Sequence, residues 1–209
     1  MVTAQAALPR RRQIIRALLK PGNTLPAIVW LFLVFNQAAN SGFPPSISTS
    51  GLVIINTTAL ALFMVRRDAS KVGSLLEGVL AVSGTFVASF LKDAGQLHDA
   101  RLLPTLVQVA GLLGWAASLA TLGRSFGIVP ADRGLVRHGP YRFVRHPIYA
   151  FEALFFFGYL LAVPTPRSFI VIAVWCVLQV ARIVREERIL GGYDEYRQRV
   201  RWRVLPFVW

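Results

Sequence analysis

Long uncharged runs alternate along this chain with short clusters of charge, and the runs set its predicted elements. Six stretches are apolar over nearly their whole length: Leu25–Ala39, Ile47–Val65, Val72–Leu91, Pro104–Leu122, Ile148–Val163 and Phe169–Val184. A helix needs about 20 such residues to cross a bilayer. The first and fifth runs are short; they tilt, extend into interfacial residues or fail to span completely, and the fourth and fifth can pair as a hairpin. The pattern predicts an all-α, polytopic transmembrane helix bundle of about six spans, or five if a short run does not cross. No long repeat, low-complexity segment or separate soluble domain interrupts it.

Composition agrees. Of 209 residues, 55% are hydrophobic and 16% charged, with a mean hydropathy of +0.52. The net charge of +13 does not point to nucleic acid, because the basic residues flank apolar spans and build no soluble face. It does orient the chain. With both termini cytoplasmic, that side holds Arg10, Arg11, Arg12, Arg16 and Lys20, then Arg66, Arg67 and Lys71, then Arg124, Arg133, Arg137, Arg142 and Arg145. The tail adds Arg182, Arg185, Arg188, Arg197, Arg199, Arg201 and Arg203. Of 23 Lys and Arg, only Lys92, Arg101 and Arg167 fall opposite, as the positive-inside rule favours. The first run lacks a small-residue cleavage pattern and reads as an anchor. Organelle signals are absent and the chain is compact, which points to a prokaryotic inner membrane. Three parts follow: a basic cytoplasmic arm over 1–24, N-terminal transmembrane helices over 25–122, and a catalytic region over 123–209 with the last two spans. Within the arm, Ile14, Ile15, Leu18 and Leu19 can lie against lipid; Trp202 and Trp209 read as interface anchors. The single Cys176 excludes an internal disulfide and a Cys-rich metal site.

Two cytoplasmic segments carry the chemistry. The first, GPYRFVRHPIY (139–149), places Pro147 in a first helical turn, where its missing N–H is harmless. His146 then stands at the helix entrance, with Tyr149 and Glu152 one turn inward on a shared face. Gly134 and Gly139-Pro140 supply turns that let backbone groups approach a polar ligand. The second, RIVREERIL (182–190), puts Arg182 and Glu186 four apart on one helix face. Ionisable residues at the membrane boundary are expensive unless paired or lining a cavity. Glu77, alone near the start of the third run, reads as a snorkelling carboxylate.

These paired motifs resemble the isoprenylcysteine carboxyl methyltransferase family and its phospholipid methyltransferase relatives. The shared pattern is G-x-Y…R-H-P-x-Y, then R-x-x-x-E-E-x-x-L after the next span, and the closing YDEYRQRVRWRVLP is similar to the family's Y-x-x-Y…P ending. The resemblance covers roughly Leu122 to the C-terminus. It implies an integral membrane enzyme that uses S-adenosylmethionine in a cytosol-facing pocket, on a lipophilic acceptor arriving from the bilayer. Carried over residue by residue, it gives a cofactor set of Gly134, Leu135, Val136, Tyr141, His146, Pro147, Ile148, Tyr149 and Glu186, with Glu187 beside it. Arg182 and Arg145 become the candidate catalytic residues, and Arg182 and Glu152 the acceptor contacts. No metal is required.

The chemistry is reasonable in itself. A carboxylate such as Glu186 can hold the cofactor's ammonium, and Tyr141 and Tyr149 can pack on adenosine or face the sulfonium. Three departures from the pattern bear on the acceptor. Ala150-Phe151 replaces a frequent Gly, so that Phe151 either narrows the pocket or turns toward lipid. The LGGY connector (190–193) is short, and Arg133 stands where prenylcysteine enzymes often carry His. Two other classes compete. Membrane sterol-type reductases also contain R-H-P-x-Y followed by a carboxylate, for which Glu152 would serve, and they use NADPH. A non-catalytic membrane interaction protein would hold no ligand in the pocket.

Overall fold

The structure, a computed structural model, describes residues 47–91 and 101–209, together with residues 27, 28, 30–32, 34, 35 and 39. The basic arm over 1–24, much of the first apolar run and Lys92 lie outside the described residues. From residue 47 onward the elements are α1 (Ile47–Val65), β1 (Lys71–Val72), α2 (Leu75–Phe86), α3 (Leu102–Leu122), β2 (Ala131–Asp132), α4 (Pro147–Ala162), α5 (Pro166–Glu186) and α6 (Tyr193–Arg199). Short 3-10 turns follow α2 and α3, and another covers Gly139–Arg142.

The helix boundaries have local causes. Pro147 opens α4 and Pro166 opens α5, both in the first turn. Thr165 caps α5 by accepting a hydrogen bond from the Ser168 amide at 3.2 Å, which satisfies an otherwise free helix-end donor. Gly123 ends α3 with φ +50°, a conformation that side chains resist. Glu77 has a different role from the snorkelling expected of it: its carboxylate accepts from the Ser74 amide. Ser74-Leu75-Leu76-Glu77 therefore forms a capping box that starts α2.

Among the described residues the fold is helical, and the sheet is one antiparallel pair in which Lys71 faces Asp132 and Val72 faces Ala131. That pair removes Val72 from the third apolar run, and the 3-10 turn removes Val87–Phe90, so α2 keeps only 12 residues. Among the described residues, two helices are long and apolar enough to cross a membrane, Leu102–Ser125 and Pro166–Glu186. The sequence pattern predicts six; α4, at 16 residues, remains as short as the fifth run implies. Ile170, Val174 and Val177 of α5 and Leu106 and Leu113 of α3 are exposed, as befits helices whose solvent is hydrocarbon.

α3 and α4 approach most closely. A Cβ on Gly111 would stand 2.6 Å from the Phe155 amide nitrogen, and one on Gly158 would stand 2.7 Å from Gln108 Cγ. Small residues at these points let two backbones touch where lipid offers no hydrophobic drive to hold them. Phe151 packs against Gly114 of α3, which settles its direction: it faces a neighbouring helix, away from the pocket described below. The core gathers Trp30, Phe63, Leu119, Phe155, Phe156 and Trp175.

The loops meet at the two ends of the bundle. At one end the Arg67 amide bonds the Arg124 carbonyl at 2.8 Å, and the Arg145 and His146 amides bond Trp202 and Arg203 carbonyls at 2.9 and 2.8 Å. The Gly191 amide reaches Asp132 Oδ2 at 3.2 Å. At the other end Arg167 Nε donates to the Phe90 carbonyl at 3.0 Å. The clusters assigned to the cytoplasmic side thus converge, with Arg167 at the far end.

Candidate functional site

The two motif segments come together around one cavity, at the end where the basic loops converge. Its backbone side is built by turns. Gly134, with φ +93°, donates its amide to Asp132 Oδ1 at 3.1 Å and turns Leu135 and Val136 into the lining. Gly139, with φ +58°, starts the 3-10 turn that sets Tyr141 into the interior, where only 7% of it is exposed. Burial, with the nearby charge of Glu186, pushes the Tyr141 phenol well above its ordinary range, so it stays a neutral donor. Its carbonyl accepts from the Tyr196 hydroxyl, tying the turn to α6.

His146 caps α4 and places Tyr149 one turn inward, the two rings 5.7 Å apart. Tyr149 donates its hydroxyl to Glu186 Oε2 at 2.9 Å, so the first motif bonds directly to the second. From α5, Gln179, Arg182 and Glu186 line the cavity at i, i+3 and i+7 spacing, opposite Glu152 of α4. Arg182 and Glu186 share a face but form no exposed ion pair. Arg182 is buried, donating to the Ile128 carbonyl at 2.6 Å and to Thr85 Oγ1 at 3.3 Å, with its guanidinium 5.4 Å from the Tyr149 ring centre.

The cavity is partly open to solvent, and its wall mixes aromatic rings with polar and charged side chains, as small-molecule sites do. Several buried polar atoms around it, Arg133 Nε, Arg182 Nε and Gln179 Oε1, have no hydrogen-bond partner. Buried polar atoms normally find partners, so these three mark the wall as incompletely satisfied. Arg133 lines the cavity from the loop; burial lowers its pKa, and the charge of Glu186 opposes that shift.

Of the residues singled out from sequence, Gly134, Leu135, Val136, Tyr141, Arg145, His146, Ile148, Tyr149, Glu152, Arg182 and Glu186 all line this one cavity. Pro147 and Glu187 do not. Pro147 is fully buried and shapes the helix entrance. Glu187 points into a separate cluster: His146 Nε2 is 3.1 Å from its Oε1, the Tyr193 hydroxyl 2.6 Å, and Arg203 grips both oxygens at 3.1–3.2 Å. Sequence reasoning missed Trp30, Asn56 and Thr85, from helices without a motif, and Trp115, Gln179, Tyr193 and Tyr196. Gln179 was accessible in principle, since it sits three before Arg182 on the same helix stripe.

The site therefore has the form of a polar, aromatic-lined cavity set at one end of membrane-length helices. Residues 105–193 match the family model of phospholipid methyltransferase, so that stretch is similar to the membrane methyltransferases the motifs resemble. The match begins upstream of Leu122 and stops at Tyr193, short of the rest of the C-terminal ending. Searches of curated proteins and of solved structures found no match.

Proposed function

We propose that this chain is an integral membrane methyltransferase that uses S-adenosylmethionine on a lipophilic acceptor whose reacting group is a carboxylate, as in a prenylcysteine, an amine or a thiol. One observation carries the reading most: the 2.9 Å bond from Tyr149 to Glu186 joins the two motif segments at a common cavity. The lining suits the cofactor chemically. Glu186 offers a carboxylate for the ammonium, Tyr141, Tyr149 and Tyr193 offer ring faces for adenine or sulfonium, and the 134–136 turn offers backbone groups. When bound, adenosylmethionine supplies an activated methyl group on a sulfonium.

The rest falls to the protein. Arg182, beside the Tyr149 ring, supplies the guanidinium charge for the anionic end of an acceptor. The fixed positions of Tyr149, Arg182 and Glu186 align the reactants, a main source of acceleration in an in-line displacement. A carboxylate or thiolate acceptor arrives without a proton to lose, so Glu152 and Arg145 serve to bind and orient. Both chain ends face the cytoplasm in this reading, with the cavity mouth on that side.

Purified protein incubated with methyl-labelled adenosylmethionine and a lipid extract tests the proposal. Label recovered in a lipid or prenylated product is the expected result. Absence of transfer, together with saturable NADPH binding, would favour the reductase class instead.

A further inference from the structure

Glu187 is the most heavily bonded carboxylate among the described residues, yet it lies outside the cavity that its neighbour Glu186 lines. Its Oε1 faces His146 Nε2 at 3.1 Å and the Tyr193 hydroxyl at 2.6 Å. Arg203, from the segment after α6, spans both oxygens, and Arg145 Nη1 stands 3.5 Å away. The ionised carboxylate can only accept. The single Tyr193 proton is therefore committed to Glu187, and Tyr193 meets His146 Nε2, 3.4 Å off, with its lone pairs. Nε2 faces two acceptors and must carry a proton. In a neutral imidazole, that leaves Nδ1 bare.

We propose that Glu187 is a positioning residue: with Tyr193 and Arg203 it holds His146, at the mouth of α4, as the Nε2–H tautomer, so that this cavity-lining ring presents Nδ1 as a hydrogen-bond acceptor. The ring then selects a guest with a donor at that point, a hydroxyl or an ammonium. This rests on the methyltransferase reading only for the identity of the guest. The cluster also makes the C-terminal segment part of the site, since the same segment takes the Arg145 and His146 amides at its Trp202 and Arg203 carbonyls. Carboxylate and phenol thus hold the imidazole, and the tail's carbonyls hold the backbone that carries it.

Histidine-selective 15N spectroscopy on the detergent-solubilised full chain tests this. The chain has three histidines, His98, His138 and His146, and His146→Asn identifies the ring signals of His146 by their loss. In wild type, neutral His146 should show a protonated-type Nε2 and a bare Nδ1. In Glu187→Ala the freed Tyr193 proton turns to Nε2, and the Nδ1–H form should become the major one; adding Tyr193→Phe should reverse this. Arg203→Ala should populate both forms, with Arg203→Lys restoring wild type. Adenosylhomocysteine should shift Nδ1 and leave Nε2 nearly unmoved, and should bind Glu187→Ala about tenfold more weakly, the scale of one hydrogen bond. A wild-type ring protonated at Nδ1, or a pattern unchanged in Glu187→Ala, overturns the proposal. If Glu187→Ala fails to fold, the wild-type spectrum alone decides. Should adenosylhomocysteine fail to bind wild type while the tautomer is as stated, the cofactor reading falls and the positioning role stands.

Discussion

At the C-terminal end of α5 two adjacent carboxylates meet different partners, Tyr149 on Glu186 and a cluster with Arg203 and His146 on Glu187. Glu186→Gln should weaken adenosylhomocysteine binding about ten- to hundredfold, the loss of one charge-assisted hydrogen bond at about 1.5–3 kcal/mol, while leaving the melting temperature close to wild type. Arg182→Ala should raise the acceptor KM more than it changes cofactor affinity; equal losses would assign Arg182 to the cofactor. Because Arg182 also holds the Ile128 carbonyl, its melting temperature should fall as well. Burial pushes the Glu187 carboxyl up, but hydrogen bonds from His146, Arg203 and Tyr193 hold it down to about 2, from an ordinary 4.5. A carboxyl depressed by folding stabilises the native state above its unfolded value and loses that contribution as pH falls toward its folded one. The stability gap between wild type and Glu187→Gln should therefore be full above about pH 4.5 and close between 4.5 and 2, by thermal melts across that range. The two Glu roles were not legible in the sequence. Neighbours on a helix point about 100° apart, and which one meets the cavity depends on where the tail docks, a distant fact.

The elements show the same division between local and distant causes. Pro147 and Gly139-Pro140 were readable because proline and glycine fix the local backbone, and both turns stand where their residues place them. The capping box at Ser74–Glu77 was equally local, yet a lone carboxylate beside an apolar run suggested the membrane surface first. The length of α2 was not readable, because β1 pairs with a strand some sixty residues away and withdraws Val72 from the run. The pairing of α3 with α4 was readable as a hairpin of the fourth and fifth runs; its closeness was not, because Gly111 and Gly158 carry no periodic signal of their own. Gly111→Val should destabilise the protein by about 1–3 kcal/mol or more, the range for overpacking, because the added carbons meet the Phe155 main chain. A detergent melt equal to wild type would contradict that packing.

For the whole molecule, hydropathy announced a membrane protein and charge asymmetry announced which loops belong together; the loops do meet at one end, leaving Arg167 at the other. Motif spacing reached the cavity through α4, α5 and the loop before them, because those residues lie in two short segments, one at the start of α4 and one at the end of α5. Trp30, Asn56 and Thr85 come from the N-terminal half and were invisible, since a wall residue needs only shape and a polar tip. The orientation has its own check. With Cys176→Ser as background, cysteines introduced at Arg201 and at Arg167 should label from opposite sides of an intact membrane, and labelling of both from one side would refute the topology.

Calorimetric titration of the purified chain with adenosylhomocysteine, beside Glu186→Gln and NADPH, probes the cavity most directly. One-to-one binding by wild type, at least tenfold weaker in Glu186→Gln and absent for NADPH, is the result expected of a site for a sulfonium nucleoside. Undetectable heat in wild type, or equal affinity in the variant, would mean that the cavity between the two motifs serves some other molecule.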